Sequence, residues 1–211
     1  MRLIRVPLFL LALGAAPAGA QPAELVHVTL APSSRIWISG RTNINAWSCV
    51  SSHLDDAIAV DSAPAVASLG SAPEHPAGTT IAATLSVPVA SLDCGRRQME
   101  RDLRNALHAD VHPQIRFRMQ SYQVSPTTTG FDGTVSGELT LNGTARAVTV
   151  AVTIVSDARG HYRATGSTEV RMSTFGVHPP TAFFGAIRAG DAVRVSFDLS
   201  TSEAQIASVE H

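Results

Sequence analysis

Along most of this chain apolar and polar residues alternate with a period of two, the pattern of strands buried on one face. The cleanest run is the last, AVRVSFDLS (192–200), where Val193, Val195, Phe197 and Leu199 oppose Arg194, Ser196 and Asp198. RAVTVAVTIVSD (146–157) puts Val148, Val150, Val152 and Ile154 on one face, and TIAATLSVPV (80–89) does the same with Ile81, Ala83, Leu85 and Val87. QIRFRMQSYQV (114–124) sets Ile115, Phe117 and Met119 against Arg116 and Arg118. FDGTVSGELTLNG (131–143) carries Leu139 and Leu141 opposite Glu138 and Thr140, and its Asn142-Gly143 pair is a strong hairpin-turn signal. ELVHVTLA (24–31), SRIWISG (34–40) and GHYRATGSTEVRM (160–172) are further β-prone runs, and HLDDAIAVD (53–61) is a weaker one. About eight strands joined by Gly, Pro, Asn and Asp turns predict an antiparallel sandwich or barrel. The Ala/Pro-rich stretch at 62–78 reads as a long loop within one domain.

One segment breaks this period. Between Arg96 and Leu107 the apolar positions Met99, Leu103, Ala106 and Leu107 form one stripe at helical spacing, with Arg97, Arg101 and Arg104 opposite. Asp93 is a candidate N-cap, and Pro113 forbids a long continuation. A single helix excludes an alternating βα sheet. Its apolar stripe must lie on something, and the sheet is the available partner.

Composition refines the picture at the N-terminus. Arg2 and Arg5 precede the apolar run VPLFLLALGAAPAGA, which ends in Ala18-Gly19-Ala20. This predicts a signal peptide at 1–20, cleaved near Ala20, and a periplasmic or secreted domain at 21–211. A membrane anchor is the competing reading, but the run is short and holds Pro7 and Pro17. Removing Arg2 and Arg5 from the 16 basic residues, all arginine, leaves 14 against 17 acids. No basic patch stands out, so nucleic acid is not an expected partner. Two cysteines in an exported chain, Cys49 and Cys94, favour a disulfide over free thiols. Closing that loop is worth about 4 kcal/mol in the chain-entropy model.

Catalytic and metal signatures are weak. His108 and His112 are four apart, but the helix ends there and no His-Glu-x-x-His motif occurs. No nucleophile elbow, phosphate loop or dinucleotide fingerprint is present. The expectation is a protein without catalytic residues, metal or cofactor. Asn142-Gly143-Thr144 matches a glycosylation sequon and is equally explained by the turn. The loop MSTFGVHPPTAFFGAIRAGD (172–191) gathers Phe175, Phe183 and Phe184 among Gly and Pro. It reads either as a plug folded into the core or as an aromatic lip on an apolar cavity.

Several blocks, in order, resemble the YceI family of secreted lipocalin-like proteins associated with polyisoprenoid binding. They are SRIWISGRTNINAWSC, VPVASLDCGRRQMERDLRNAL, HPQIRF, GELTLNGTARAVTVAVTI and STFGVHPPTAFFGAIRAGDAVRVSFDL, which together run from about residue 34 to 200. The cysteine pair is similar to that of a subgroup of this family. The resemblance implies an eight-stranded antiparallel barrel with one amphipathic helix, and a lumen that accepts a long isoprenoid tail. It implies no catalytic residues.

Strand alternation then nominates Ile36, Ile38, Leu85, Leu139, Leu141, Val150, Val152, Val193, Val195 and Phe197 as lumen lining. Met99 and Leu103 would come from the helix, and Phe175, Phe183 and Phe184 from the rim. The expected partner is an apolar or amphiphilic small molecule, with no stable membrane anchor. Oligomeric state is not set by the pattern, a dimer being one option. A barrel of this size either holds one ligand or is filled by its own side chains. A filled barrel would act through surface contacts with a partner, and an unrecognised enzyme is the third reading.

Overall fold

The computed structural model describes residues 25–61, 81–156, 161–182 and 184–202. The expected signal peptide, the loop at 62–78 and Phe183 lie outside them. The strands are β1 (Leu25–Val28), β2 (Arg35–Thr42), β3 (Ala46–Ser51), β4 (Asp55–Asp61), β5 (Ile81–Pro88), β6 (Gln114–Pro126), β7 (Gly130–Leu141), β8 (Thr144–Ser156), β9 (Tyr162–Arg171), β10 (Thr181–Ala182) and β11 (Ile187–Ser200). Helix α1 covers Arg97–Ala106, and 3₁₀ turns follow β5 (Val89–Ser91) and β9 (Met172–Phe175).

All strand pairs are antiparallel, in the order β1-β4-β5-β6-β7-β8-β9-β11-β2-β3, with β10 added to β11. The expected all-β antiparallel architecture with one helix is present, its strands forming one strongly curled sheet, a half-barrel. Long β6, β7 and β8 carry the strongest alternation, and the Asn142-Gly143 turn between β7 and β8 has both residues at positive φ, 50° and 69°.

Curling needs points where adjacent strands approach closely, and glycine supplies them. At Gly166 a Cβ would collide with the Ala151 carbonyl of β8 and lie 2.6 Å from Cζ of Phe197. At Gly137 it would collide with the Arg118 carbonyl and lie 2.7 Å from Cζ of Phe117.

The curled sheet has a seam between β3 and the connection from β5 to α1. Two backbone hydrogen bonds join it, Val50 N to Asp93 O and Asp93 N to Val50 O, both 2.8 Å. The Ser51 and Ser91 hydroxyls meet at 2.7 Å beside them. The Cys49–Cys94 disulfide closes the same place, at a sequence separation of 45. The bond expected from the cysteine count is therefore formed, and it staples the sheet edge as well as the entrance to α1.

Helix α1 differs from expectation at its start. Arg96 is the N-cap and makes no side-chain cap. Asp93 instead accepts a hydrogen bond from Gly95 N at 2.7 Å, turning the chain after the seam. Gly95 has φ 70°, a geometry that separates Asp93 from the helix.

On the outer face, Asp198 of β11 accepts two hydrogen bonds of 2.7 Å from Arg163 of β9. Arg35 of β2 reaches the same carboxylate at 3.5 Å. The Arg163 hydrogen bonds, more than its charge or that of Arg35, hold the Asp198 carboxyl below the usual carboxylate range despite burial. One carboxylate thus ties three consecutive strands.

Candidate functional site: the inner face of the sheet

Residues directly opposite in an antiparallel pair share a face, so the register traces one surface across the whole sheet. Leu85 faces Phe117, and Phe117 faces Leu139. Two residues along from Leu139 lies Gly137 opposite Val148, and next Val135 opposite Val150. Val152 faces Gly166, Gly166 faces Phe197, and Phe197 faces Ile36. Val195 faces Ile38, which faces Cys49, while Val193 faces Gly40 and then Trp47. Leu141 shares the face of Leu139. All ten strand positions nominated from alternation therefore lie on one continuous surface, and the core cluster marks it as the inner one.

That surface has two zones. At the end covered by α1, Val89, Leu107, Val170, Phe175, Val177 and Val193 form a tightly buried cluster. Leu103 and Ala106 of α1 pack against it, together with Ile38, Trp47, Ile115, Leu139 and Leu141. Phe175, at 1% exposure, belongs to this plug and offers no surface at a rim. Away from the plug the inner face is mixed: Ile36, Val150 and Val152 are buried, while Leu85, Phe117, Met119, Val124 and Phe197 keep partial access to solvent. Met99, one helical turn before Leu103, is also half-buried. Phe184 projects outward from the turn before β11, fully exposed.

Aromatic rings on this face pack against glycines of neighbouring strands. Phe117 covers Gly137 of the neighbouring strand, Phe197 covers Gly166, and Trp47 covers Gly40, whose Cβ would lie 2.6 Å from the Trp47 ring. Phe117, which the alternation sets on the apolar face with Ile115 and Met119, and Trp47 were not among the nominated lining residues. The signal that could have found them is the set of glycines inside strand patterns, which marks close approach of another group.

Chemistry elsewhere is structural or polar. His108 Nδ1 lies 2.8 Å from Asn142 Oδ1, and Asn142 Nδ2 donates to the Phe175 carbonyl at 3.3 Å. The His112 ring sits on Gly143. The two histidines thus dock the end of α1 onto the β7–β8 turn. Among the described residues no cluster of three or more His, Cys, Asp or Glu could hold a metal, and no helix is long and apolar enough to cross a membrane. A groove of about 530 Å³ on the opposite, outer face is lined by Asp55, Thr84, Ser86, Arg116, Arg118, Glu138 and Thr140. It is polar and separated from the inner surface by the sheet.

The fold matches solved structures at low identity. Burkholderia cenocepacia BcnA superposes with a TM-score of 0.62 at 20% identity, over 82% of this chain and 100% of that one. A polyisoprenoid-binding domain from Saccharophagus degradans gives 0.59 at 11% identity, over 87% and 99%. No curated protein matches the sequence. A family model for the YceI-like domain matches residues 39–201. With that match over most of its length, the chain belongs to the YceI-like family.

Proposed function

We propose that this protein holds an amphiphile by an isoprenoid-like apolar tail on the inner face of the half-barrel, and sequesters or carries it in the periplasm. The observation that carries this reading is a continuous inner apolar surface on which Leu85, Leu139, Val195 and Phe197 stay half-buried while Trp47, Phe117 and Phe197 pack over Gly40, Gly137 and Gly166. Membership of the YceI-like family supports it, as does the likeness to a domain described as polyisoprenoid-binding.

The driving force is burial of hydrocarbon. Each CH₂ is worth about 0.8 kcal/mol, so one five-carbon unit contributes roughly 3–4 kcal/mol before ordering costs. Leu85, Leu139, Val150, Val152, Val195 and Phe197 supply the apolar wall. The plug of Phe175, Val177 and Leu107 closes one end, so the tail runs from the plug toward the other end. Such binding needs shape and exclusion of water, with no catalytic step.

The test is purification from the native host followed by organic extraction and mass spectrometry. A co-purifying amphiphile with a prenyl-type fragmentation series is the expected result. Solvent extracts free of any stoichiometric lipid, together with no uptake of added polyprenol, would overturn the reading.

A further inference from the structure

The described residues expose few large apolar side chains, and two of them share one place. Ile44, 64% exposed, is at the tip of the β2–β3 turn, and Phe184 is fully exposed at the turn between β10 and β11. Asn43 binds these turns together. Its Nδ2 donates to Ala186 O at 2.9 Å, its Oδ1 accepts from Arg188 N at 2.9 Å, and its own N donates to Arg188 O at 3.1 Å.

Each turn is built to hold its tip outward. Thr42 Oγ1 accepts from Ile44 N at 3.2 Å and Asn45 N at 3.0 Å, which fixes the first turn. In the second, Phe184 has φ 55° and Gly185 φ 86°, and Arg188 Nε donates to Gly185 O at 2.9 Å. A left-handed phenylalanine is costly and rare outside constrained sites. Here the cost positions an aromatic ring in water, where it gains nothing from the fold itself.

Charge completes the pattern. Residues 41–47 and 184–190 contain Arg41 and Arg188 and no acid. Both arginines are exposed. An aromatic and an aliphatic tip flanked by cations matches the chemistry of an anionic lipid surface, where rings sit among headgroups and arginines meet phosphates.

We infer that the paired turns carrying Ile44 and Phe184 dock this protein reversibly on an anionic bilayer surface. The patch is small, two apolar side chains and two charges, so docking is transient. Through Asn43 the tip is joined to β11 just before Val193 of the plug, so a docked molecule presents its α1-covered end to the lipid. The inference goes beyond the lipid-carrier reading, and its test needs no bound ligand.

The experiment is flotation of the full chain, stripped of lipid, with vesicles of phosphatidylcholine alone or mixed equally with phosphatidylglycerol. Binding is expected only to the mixed vesicles and to fall with added salt. Phe184→Asn keeps a residue that tolerates the left-handed region; combined with Ile44→Ser it should cut binding about tenfold or more. Arg41→Gln should weaken binding about fivefold, the loss of one cation near the surface. Thermal unfolding of each variant reports whether it stays folded, and Arg41→Gln serves if the double variant does not. No flotation of the wild-type chain, or equal flotation of folded variants, would overturn the inference. Because the lipid extraction above reads the lumen and flotation reads the tip, either can fail without the other.

Discussion

Cutting the staple at the seam is the perturbation whose size can be worked most directly from the structure. The Cys49–Cys94 bond closes a loop with a separation of 45 residues. The chain-entropy relation gives about 4 kcal/mol for a loop of that length. Three contacts remain when the bond is removed, the paired hydrogen bonds between Val50 and Asp93 and the contact between Ser51 and Ser91. They preserve the native seam but do nothing to restrict the unfolded chain, so most of the loss should survive. Cys49 is buried at 1% exposure, and its replacement should be small and apolar. The double variant Cys49→Ala with Cys94→Ala avoids a stray thiol. At about 2–4 °C per kcal/mol for a domain of this size, the midpoint should fall by roughly 8–16 °C. Thermal unfolding followed by circular dichroism, with the wild-type chain run with and without reductant, reads the shift. A drop below about 2 °C, with full reduction verified by thiol counting, would refute the tether.

Three further outcomes follow from the same geometry. Gly166→Ala places a Cβ against the Ala151 carbonyl, which is backbone and cannot yield, so urea unfolding should show a loss of about 1–3 kcal/mol; Phe197→Leu in the same background should recover part of it, and an unchanged midpoint would show that the sheet does not need this approach. Asp198→Asn removes the carboxylate clamped by Arg163 and Arg35. Since the folded pKa is depressed, the wild-type advantage should be full above about pH 4 and shrink as pH falls through the lower folded value; a gap that is constant with pH would contradict the clamp. Replacing His108 with Ala should loosen the end of α1 from the Asn142 turn and raise amide exchange across residues 103–112 without altering β6–β8; unchanged exchange would refute the docking role.

Where one face of a strand is buried and the other wet, the sequence carried the fold plainly. Val193, Val195, Phe197 and Leu199 were readable because their neighbours Arg194, Ser196 and Asp198 are polar, and the register put them where the alternation implied. β3 was not readable, because Ala46, Ser48 and Ser51 are small and weakly patterned, and the strand depends on pairing with β2 and the distant Asp93. The helix was legible as a stripe, but its start was not, since Asp93 is drawn to Gly95 by the turn that closes the seam. The wall itself is a non-local property. Nothing near Gly166 in the chain announces that Phe197, on another strand, rests upon it. The loop at 172–191 held both readings at once: Phe175 entered the plug and Phe184 went to solvent, a division set by the left-handed turn and invisible to composition.

The most direct measurement is the affinity of the delipidated chain for a series of polyprenols of increasing length, titrated by calorimetry in a constant low level of detergent. A lumen that holds an apolar chain predicts binding that strengthens with each added isoprene unit, by up to roughly 3–4 kcal/mol before ordering costs, and then levels off once the wall is covered. Leu139→Asp should abolish the length dependence, because a carboxylate on the inner wall must be desolvated by the tail. Affinity that ignores tail length, or no binding across the series, would contradict a lumen that holds an apolar chain.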